Sequence, residues 1–98
     1  MDLNSIKKYI NLCKKAGAVV YGIDNLKLRK KPVFVIFTDI TAGNSLKRTV
    51  KYLSENTNIL NIELESSLID NLFETTNCKA VGISNSNLAD KIIELIKY

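Results

Sequence analysis

The sequence contains no histidine and no tryptophan, and its 98 residues include one proline, four glycines and two cysteines. Without histidine, the chain lacks the usual general base at neutral pH, the usual partner of a nucleophile, and the commonest zinc ligand. Cys13 and Cys78 are far apart and match no metal-ligand spacing, so we expect reduced thiols, no metal and no other cofactor. We therefore do not expect an enzyme.

The sequence also lacks a long hydrophobic stretch. No apolar run approaches the roughly 18 residues that a membrane span needs, and residues 1–5 show no basic-then-apolar signal pattern. We therefore expect a cytoplasmic protein with no membrane partner and no small-molecule substrate. Hydrophobic residues make up 46% and charged residues 24%, as in ordinary globular proteins. We predict a single domain over residues 1–98 and a monomer.

Charge is divided unevenly along the chain. Residues 1–51 contain eleven Lys and Arg against three Asp and Glu, whereas residues 52–98 contain three against seven. The basic residues of the first half form three clusters, which are Lys14-Lys15, then Lys27 with Arg29, Lys30 and Lys31, and then Lys47 with Arg48 and Lys51. Such asymmetry suggests a polyanionic partner for one face.

Hydrophobic periodicity predicts helices and strands in strict alternation. In chain order we predict a helix over 3–15, a strand over 18–21, a helix from Asp24 to Lys31, a strand over 33–37, a helix around 46–53, a strand over 60–64, a helix around 67–73, a strand over 79–84 and a helix from Asn87. This alternation is typical of a three-layer α/β/α sandwich with a four-stranded mixed sheet. The uninterrupted apolar run at 33–37 predicts the central strand.

Helix caps are predicted from the residues that precede each apolar pattern. Asp2 or Asn4 is expected to cap the first helix, and Gly17 to lie just past its end. Ser67 with Asp70 is expected to cap the fourth helix. By the same pattern, Asp24 is expected to cap the second helix, and Asn87 with Asp90 the fifth.

Polar segments that follow strands are candidates for a site, because function in open α/β sheets lies beyond the carboxyl ends of the strands. We expect residues 22–25, 38–41 and 84–87 to meet there, each leading into a helix N-terminus that favours phosphate. Asp39, with Thr41 beside it, is a candidate phosphoryl-accepting carboxylate; alternatively, either Asp39 or Thr41 caps the next helix. The cap is favoured, because no acidic partner is placed to hold magnesium.

The basic clusters give the more specific signal for function. Cations that converge near a helix start match the electrostatic footprint of a nucleic-acid backbone. Only Tyr9 and Tyr21 lie near the first two clusters, which argues against a platform that stacks single-stranded bases. A folded RNA recognised by its shape and phosphates is the partner that this pattern favours.

The segment from Leu12 to Gly22 resembles a known family. Its Lys15, Ala16-Gly17, four residues and Gly22 are similar to the hallmark of the ribosomal protein superfamily of L-seven-Ae and L-thirty-e, closest to bacterial YlxQ-type members. Weaker similarity continues through Thr38-Asp39, through Asn44-Ser45 with Lys47-Arg48, and through the last strand and helix. The resemblance implies an α/β/α sandwich that binds structured, kink-turn-like RNA, with ribosomal RNA as the expected partner, without cofactor or catalysis.

The resemblance also implies which residues contact RNA. After the second Gly, family members carry an Asn-Glu pair and then a Lys, which recognise tandem G·A pairs. Here Gly22 matches, Asp24, Asn25 and Leu28 stand at those three positions, and Lys27 is adjacent. A second family contact, in the loop before the last strand, corresponds to Thr76, Asn77 and Lys79. With the charge clusters, the candidate RNA-binding residues are Lys14, Lys15, Gly22, Asp24, Asn25, Lys27, Lys30, Lys31, Thr76, Asn77 and Lys79.

Three functions from different classes follow from these patterns. The leading hypothesis is a non-catalytic RNA-binding protein associated with ribosomes or another structured RNA. The alternative is an adaptor that keeps the fold, has lost RNA binding and contacts a protein, for which the Asp24-Asn25 pair is the main support. A phosphoryl-handling enzyme that uses Asp39 is the third and least favoured.

Overall fold

The computed structural model describes residues 2–28, 30–55 and 57–97 and forms an α/β fold within them. Its helices are α1 (Leu3–Lys15), α2 (Ile23–Leu28), α3 (Asn44–Glu55), α4 (Leu68–Phe73) and α5 (Ser86–Lys97). Its strands are β1 (Val19–Tyr21), β2 (Val35–Asp39), β3 (Leu60–Leu64) and β4 (Ala80–Ile83). The predicted alternation of helices and strands is confirmed. None of the described helices is long and apolar enough to cross a membrane.

The four strands form one mixed sheet in the order β1-β4-β2-β3. β4 is antiparallel to both of its neighbours, β1 and β2, whereas β2 and β3 are parallel. The predicted mixed sheet is confirmed, and β2 is one of its two central strands. β1 and β3 form the two edges.

Alternate residues of the strands feed two separate hydrophobic clusters. Val35 and Phe37 of β2 pack with residues of α1, α4 and α5. Ile36, which lies between them, packs instead with Leu26 of α2 and Val50 of α3. Because successive side chains of a strand point to opposite faces, the two clusters place helices on both sides of the sheet.

The start and end of α1 follow directly from the sequence. The side chain of Asp2 accepts hydrogen bonds from the N–H groups of Asn4 and Ser5, at 3.1 and 3.4 Å, so Asp2 is the cap. After the helix, Gly17 adopts a left-handed conformation with a φ of 65°. The N–H of Gly17 bonds to Lys14 O and that of Ala18 to Cys13 O, which is the Schellman arrangement.

The central strand begins two residues later than predicted. β2 covers Val35–Asp39 rather than 33–37, and Phe34 lies outside it with 40% of its surface exposed. Thr38 and Asp39 are buried instead, each 1% exposed. The Thr38 hydroxyl finds a partner 23 positions away, in the side-chain oxygen of Asn61 at 3.0 Å. Such a distant partner allows a polar residue to be buried in a strand.

α2 is shorter than predicted. It begins at Ile23 and ends at Leu28, so Lys30 and Lys31 lie beyond it rather than within it. The first helical hydrogen bond runs from the N–H of Leu26 to Gly22 O at 3.2 Å, which makes Gly22 the residue before the helix. Asp24 therefore lies in the first turn and is not the cap.

Two further caps differ from prediction. Asn85, not Asn87 with Asp90, caps α5, because the N–H of Leu88 donates to Asn85 Oδ1 at 3.0 Å. At α4, the Ser67 side chain makes no capping hydrogen bond, and its backbone is left-handed with a φ of 66°. The predicted partner of Ser67, Asp70, binds the loop that follows the helix instead.

Candidate nucleic-acid interface

Strand directions divide the loops between two rims of the sheet. β1, β2 and β3 end at one rim, where β4 begins, because the N–H groups of Gly22 and Asp39 bond to Ala80 O and Lys79 O. We call this the carboxyl rim and the opposite one the amino rim. Residues 84–87 lie at the amino rim, since Ser84 N–H donates to Ala18 O. The expectation that they join residues 22–25 is therefore wrong, because β4 runs antiparallel to β1 and β2.

A shallow groove of about 230 Å³ follows the outer side of β1. We call it the β1 groove; its lining residues are Val19, Val20, Tyr21, Asn25, Leu26, Leu28, Lys30, Lys31 and Val33. Apolar side chains form much of its lining, and two lysines and an asparagine supply the polar groups. The groove therefore joins candidates from both rims into one surface.

The amino rim carries the lysines. Lys31 Nζ donates to Gly17 O, just past the end of α1. Lys14 and Lys15 occupy the last turn of α1, where positive charge complements the helix dipole. Lys30, next to Lys31, is exposed. The predicted clusters of Lys14-Lys15 and Lys30-Lys31 are thus brought to one rim.

The Gly22 turn lies at the other end of β1. β1 has three residues, so the turn is separated from the amino rim by about 10 Å. Gly22 has a φ of 83°, and a Cβ there would meet nothing within 4 Å, so the backbone conformation alone requires glycine. Asn25 Nδ2 donates to Tyr21 O at 2.8 Å, which fastens the first turn of α2 to the strand. The sequence had suggested that the lysines surround the Gly22 turn. In the structure they flank β1 instead.

The loop before β4 is organised by Asp70. Its carboxylate accepts hydrogen bonds from Thr75 Oγ1 at 2.6 Å and from the N–H groups of Asn77 and Cys78 at 3.0 and 2.9 Å. These hydrogen bonds, that of Thr75 foremost, lower the pKa of Asp70. Thr76 and Asn77 are held on the surface, and Asn77 has a φ of 55°.

Lys79 is directed away from that loop. Its Nζ lies 3.7 Å from Asp39 Oδ2 and 3.2 Å from Thr41 Oγ1. The sequence placed Lys79 with Thr76 and Asn77 as one contact loop, but its ammonium group is engaged in the turn after β2. Lys79 therefore serves first to compensate a buried carboxylate.

Asp39 joins three segments at the carboxyl rim. Its Oδ1 accepts from the Thr41 N–H at 2.8 Å and from the Thr41 hydroxyl, and its Oδ2 accepts from the Ser67 N–H at 3.0 Å. The Thr41 hydroxyl foremost, the two N–H groups and the charge of Lys79 lower the pKa of Asp39 to about 2, against the opposing effect of burial. Neither Asp39 nor Thr41 caps α3, which begins at Asn44. Instead of capping α3, the Asp39 side chain links the turn after β2 to Ser67 and to Lys79.

Most cations of the first half lack a carboxylate partner. Within residues 2–28, 30–55 and 57–97, ion pairs join only Lys51 to Glu55, at 3.8 Å, and Lys79 to Asp39. Lys14, Lys15, Lys27, Lys30 and Lys31 therefore have no described carboxylate within 4.0 Å. Their charge is not neutralised locally, so this surface attracts anions.

The carboxyl end of the β1 groove has a different character. Burial foremost, and then the charges of Cys78 and Glu74, raise the pKa of Tyr21. Asp24 is exposed in the first turn of α2 nearby. The groove thus runs from a lysine-rich end to an end with an aromatic ring and an amide.

Sequence reasoning missed Gly82, which shapes this surface from beneath. A Cβ at Gly82 would lie 2.7 Å from a Leu26 methyl carbon and 2.8 Å from a Val33 methyl carbon. Only glycine therefore lets α2 and residue 33 approach the sheet this closely. The signal was an isolated glycine within a strand pattern, which marks either a bulge or a close approach.

Other chemistry-bearing groups are few. Cys13 is fully buried and Cys78 partly so, both as free thiols, and burial raises the pKa of Cys13. In the part of the chain that the structure describes, no three His, Cys, Asp or Glu side chains cluster as a metal site would require.

Comparison with known proteins reveals similarity in fold only. No protein-family model and no curated protein matches the sequence. Among solved structures, a protein of unknown function from Bacillus halodurans matches with a TM-score of 0.76, over 95% of this chain and 97% of its own. The two sequences are 12% identical. The match shows that this arrangement of helices and strands exists in an experimental structure.

Proposed function

We propose that this chain is a non-catalytic, cytoplasmic RNA-binding protein that associates with ribosomes or another structured RNA through the β1 groove and its lysines. The observation that carries the proposal is the set of cations around β1 that have no carboxylate partner among the residues that the structure describes. Counterion release on phosphate binding is the main source of affinity for nucleic acids, and it needs such cations.

The two ends of the β1 groove suit two kinds of contact. Phosphates would bind at the amino rim, to Lys14, Lys15 and Lys30. Bases would lie toward Tyr21 and the remaining donor and acceptor of Asn25, where hydrogen bonds can distinguish sequences. The resemblance of residues 12–22 to the L-seven-Ae and L-thirty-e superfamily supports the same partner, a kink-turn-like RNA.

The test is a salt titration with two RNAs. One is a hairpin that contains tandem G·A pairs, and the other carries Watson–Crick pairs in their place. We expect both to bind, with affinity that falls with salt at a log–log slope of about −0.9 for each phosphate contact, and the first to bind more tightly. Equal affinities would leave RNA binding without kink-turn recognition. Absence of binding to either RNA at low salt, with the protein folded, would overturn the proposal.

One observation favours the alternative of a protein adaptor. A mostly apolar pocket of about 440 Å³ opens at the amino rim between α2 and α3, lined by Leu26, Lys31, Pro32, Val33, Phe34, Ile36, Leu53, Thr57, Asn58 and Ile59. Apolar concavities of this size are common binding sites. If neither RNA binds, this pocket becomes the candidate contact, and Phe34→Ser should then weaken capture of the protein partner.

A further inference from the structure

We propose that the exposed face of α3 is a second RNA contact, which binds a single-stranded segment by holding its phosphates and stacking a base on Tyr52. This inference rests on the RNA binding proposed above and adds a surface that the β1 groove does not include. The inference is based on an open basic groove on α3 and on an exposed aromatic ring beside that groove.

The basic groove has a volume of about 290 Å³ and is lined by Asn44, Lys47, Arg48 and Lys51. Lys47 Nζ is held by Ile40 O at 2.7 Å, and Arg48 Nε by Asn44 O at 3.5 Å. Because those partners are neutral carbonyls, both cations keep their full charge toward solvent. No acidic residue stands in the first turn of α3 to oppose them.

Among the described residues, Lys51 is the groove cation that pairs with an acidic side chain. Its ammonium group lies 3.8 Å from Glu55, and the two side chains are 74% and 58% exposed. An exposed pair of charges four residues apart on a helix contributes little to stability. A phosphate can therefore displace Glu55 at little cost.

Tyr52 is the most exposed large apolar side chain in the described residues, at 62%. It follows Arg48 by four positions, so both side chains lie on the same helical face. Val50 and Leu53 point into the core, whereas Tyr52 is not part of the hydrophobic cluster that they form. Aromatic rings and guanidinium planes beside a basic groove are the groups on which unpaired bases stack.

The α3 face is within reach of the first site. α2 and α3 pack side by side on the same face of the sheet through Leu26, Val50 and Leu53. α2 contacts both β1 and α3, and it carries the exposed Lys27. A strand that leaves a folded RNA bound at β1 can therefore continue across α2 onto α3.

The test uses a twelve-residue oligouridylate, which cannot fold into a kink-turn. Replacing Tyr52 by Leu should lower its affinity about tenfold, the loss expected for one stacked base, whereas Tyr52→Phe should stay within about twofold because the ring remains. Arg48→Gln should reduce the log–log slope of affinity against salt by the amount expected for about one phosphate contact. The Tyr52→Leu and Tyr52→Phe pair separates stacking from general surface effects.

A fluorescent reporter gives an independent measurement, because the chain has no tryptophan. Tyr52→Trp places a single tryptophan on α3, where it reports stacking at that position. We expect oligouridylate to quench the emission at position 52, and heparin, a polyanion without bases, to bind without that quenching.

The outcomes separate this inference from the proposed function. If the structured hairpin binds but Tyr52→Leu leaves oligouridylate affinity unchanged, the α3 contact is refuted and the proposed function stands. If Tyr52→Leu weakens oligouridylate binding while the hairpin does not bind, the α3 contact stands and structured-RNA recognition is refuted. If neither RNA binds, both are refuted.

Discussion

The sheet has two edge strands that differ in length and in charge. β1 has three residues without a charged side chain, and the lysines around it lie on the flanking segments. β3 has five residues, exposes Glu63 within the strand and is followed by the exposed Glu65. Edge strands present unpaired backbone groups, and charged side chains hinder their association with other strands.

The comparison shows how a charge split along the chain becomes a charge split in space. Lys14, Lys15, Lys30 and Lys31 of the first half flank β1, whereas Glu63 and Glu65 of the second half lie on and just after β3, at the opposite edge of the same sheet. Repulsion of like charges can hinder each edge strand from pairing with the same edge of a second copy of the protein. A polyanion, however, is attracted to the β1 side and repelled from the β3 side. The β1 edge is therefore better suited than the β3 edge to the RNA contact proposed above.

Reversing charges on each side should produce the largest difference between them. Lys27→Glu with Lys30→Glu replaces two attractive groups by repulsive ones and should lower the affinity for the hairpin RNA about a hundredfold at moderate salt. Glu63→Lys with Glu65→Lys, the matched control, should leave affinity unchanged or raise it slightly. Filter binding or fluorescence anisotropy measures both. A loss in the β3 variant equal to that in the β1 variant would contradict a one-sided interface.

Asp39 belongs to the scaffold shared by the two sides, so its loss should lower stability. Asp39→Asn keeps the shape but removes the charge that Thr41, Ser67 and Lys79 stabilise, and we expect a loss of about 2 kcal/mol in the free energy of unfolding at pH 7. Asp24→Asn, at an exposed carboxylate, should change it by less than about 0.5 kcal/mol. Urea unfolding measures both.

The same carboxylate predicts a pH dependence. The pKa of Asp39 is about 2 in the folded protein, below the ordinary 3.8. Because the folded value is the lower one, the stabilisation is complete above about pH 4 and is lost as the pH falls toward 2. The difference in stability between the native protein and Asp39→Asn should therefore shrink across this range. A difference that stays constant from pH 7 to pH 2.5 would contradict the role given to Asp39.

Substitution of Gly82, on the β1 side of the sheet, should have the smallest of these effects, and it acts on the stability of the protein. Gly82→Ser places a Cβ against Leu26 and Val33 and should destabilise the protein by about 1–2 kcal/mol through overpacking. Gly43→Ser, where a Cβ meets nothing within 4 Å, should be neutral or slightly stabilising. Thermal unfolding distinguishes them. Equal melting temperatures for the two variants would show that α2 can move away from the sheet without loss.

The sequence predicted the order of elements and the fold class because these depend on local periodicity. It misplaced β2 because Asn61 and Ser67, the partners that allow Thr38 and Asp39 to be buried, are distant in the chain. Periodicity also carries no information on strand direction, so residues 84–87 were assigned to the wrong rim.

The candidate site was predicted in composition but not in arrangement. The lysines were predicted as clusters in the sequence, whereas the position of Lys30 and Lys31 at the amino rim depends on the contact of Lys31 with Gly17. Tyr52 gave no signal beyond its residue type, because a helical pattern shows that a position faces outward but not how much of its ring is exposed. The RNA contacts themselves stay predictions.

Chemical-shift mapping of the backbone amides during titration with the hairpin RNA tests the one-sided interface most directly. We expect the shifts to concentrate in residues 14–31, around β1 and α2, and the amides of residues 60–65, which include β3, to stay unchanged. Shifts centred on β3, or the absence of any shift at saturating RNA and low salt, would contradict it.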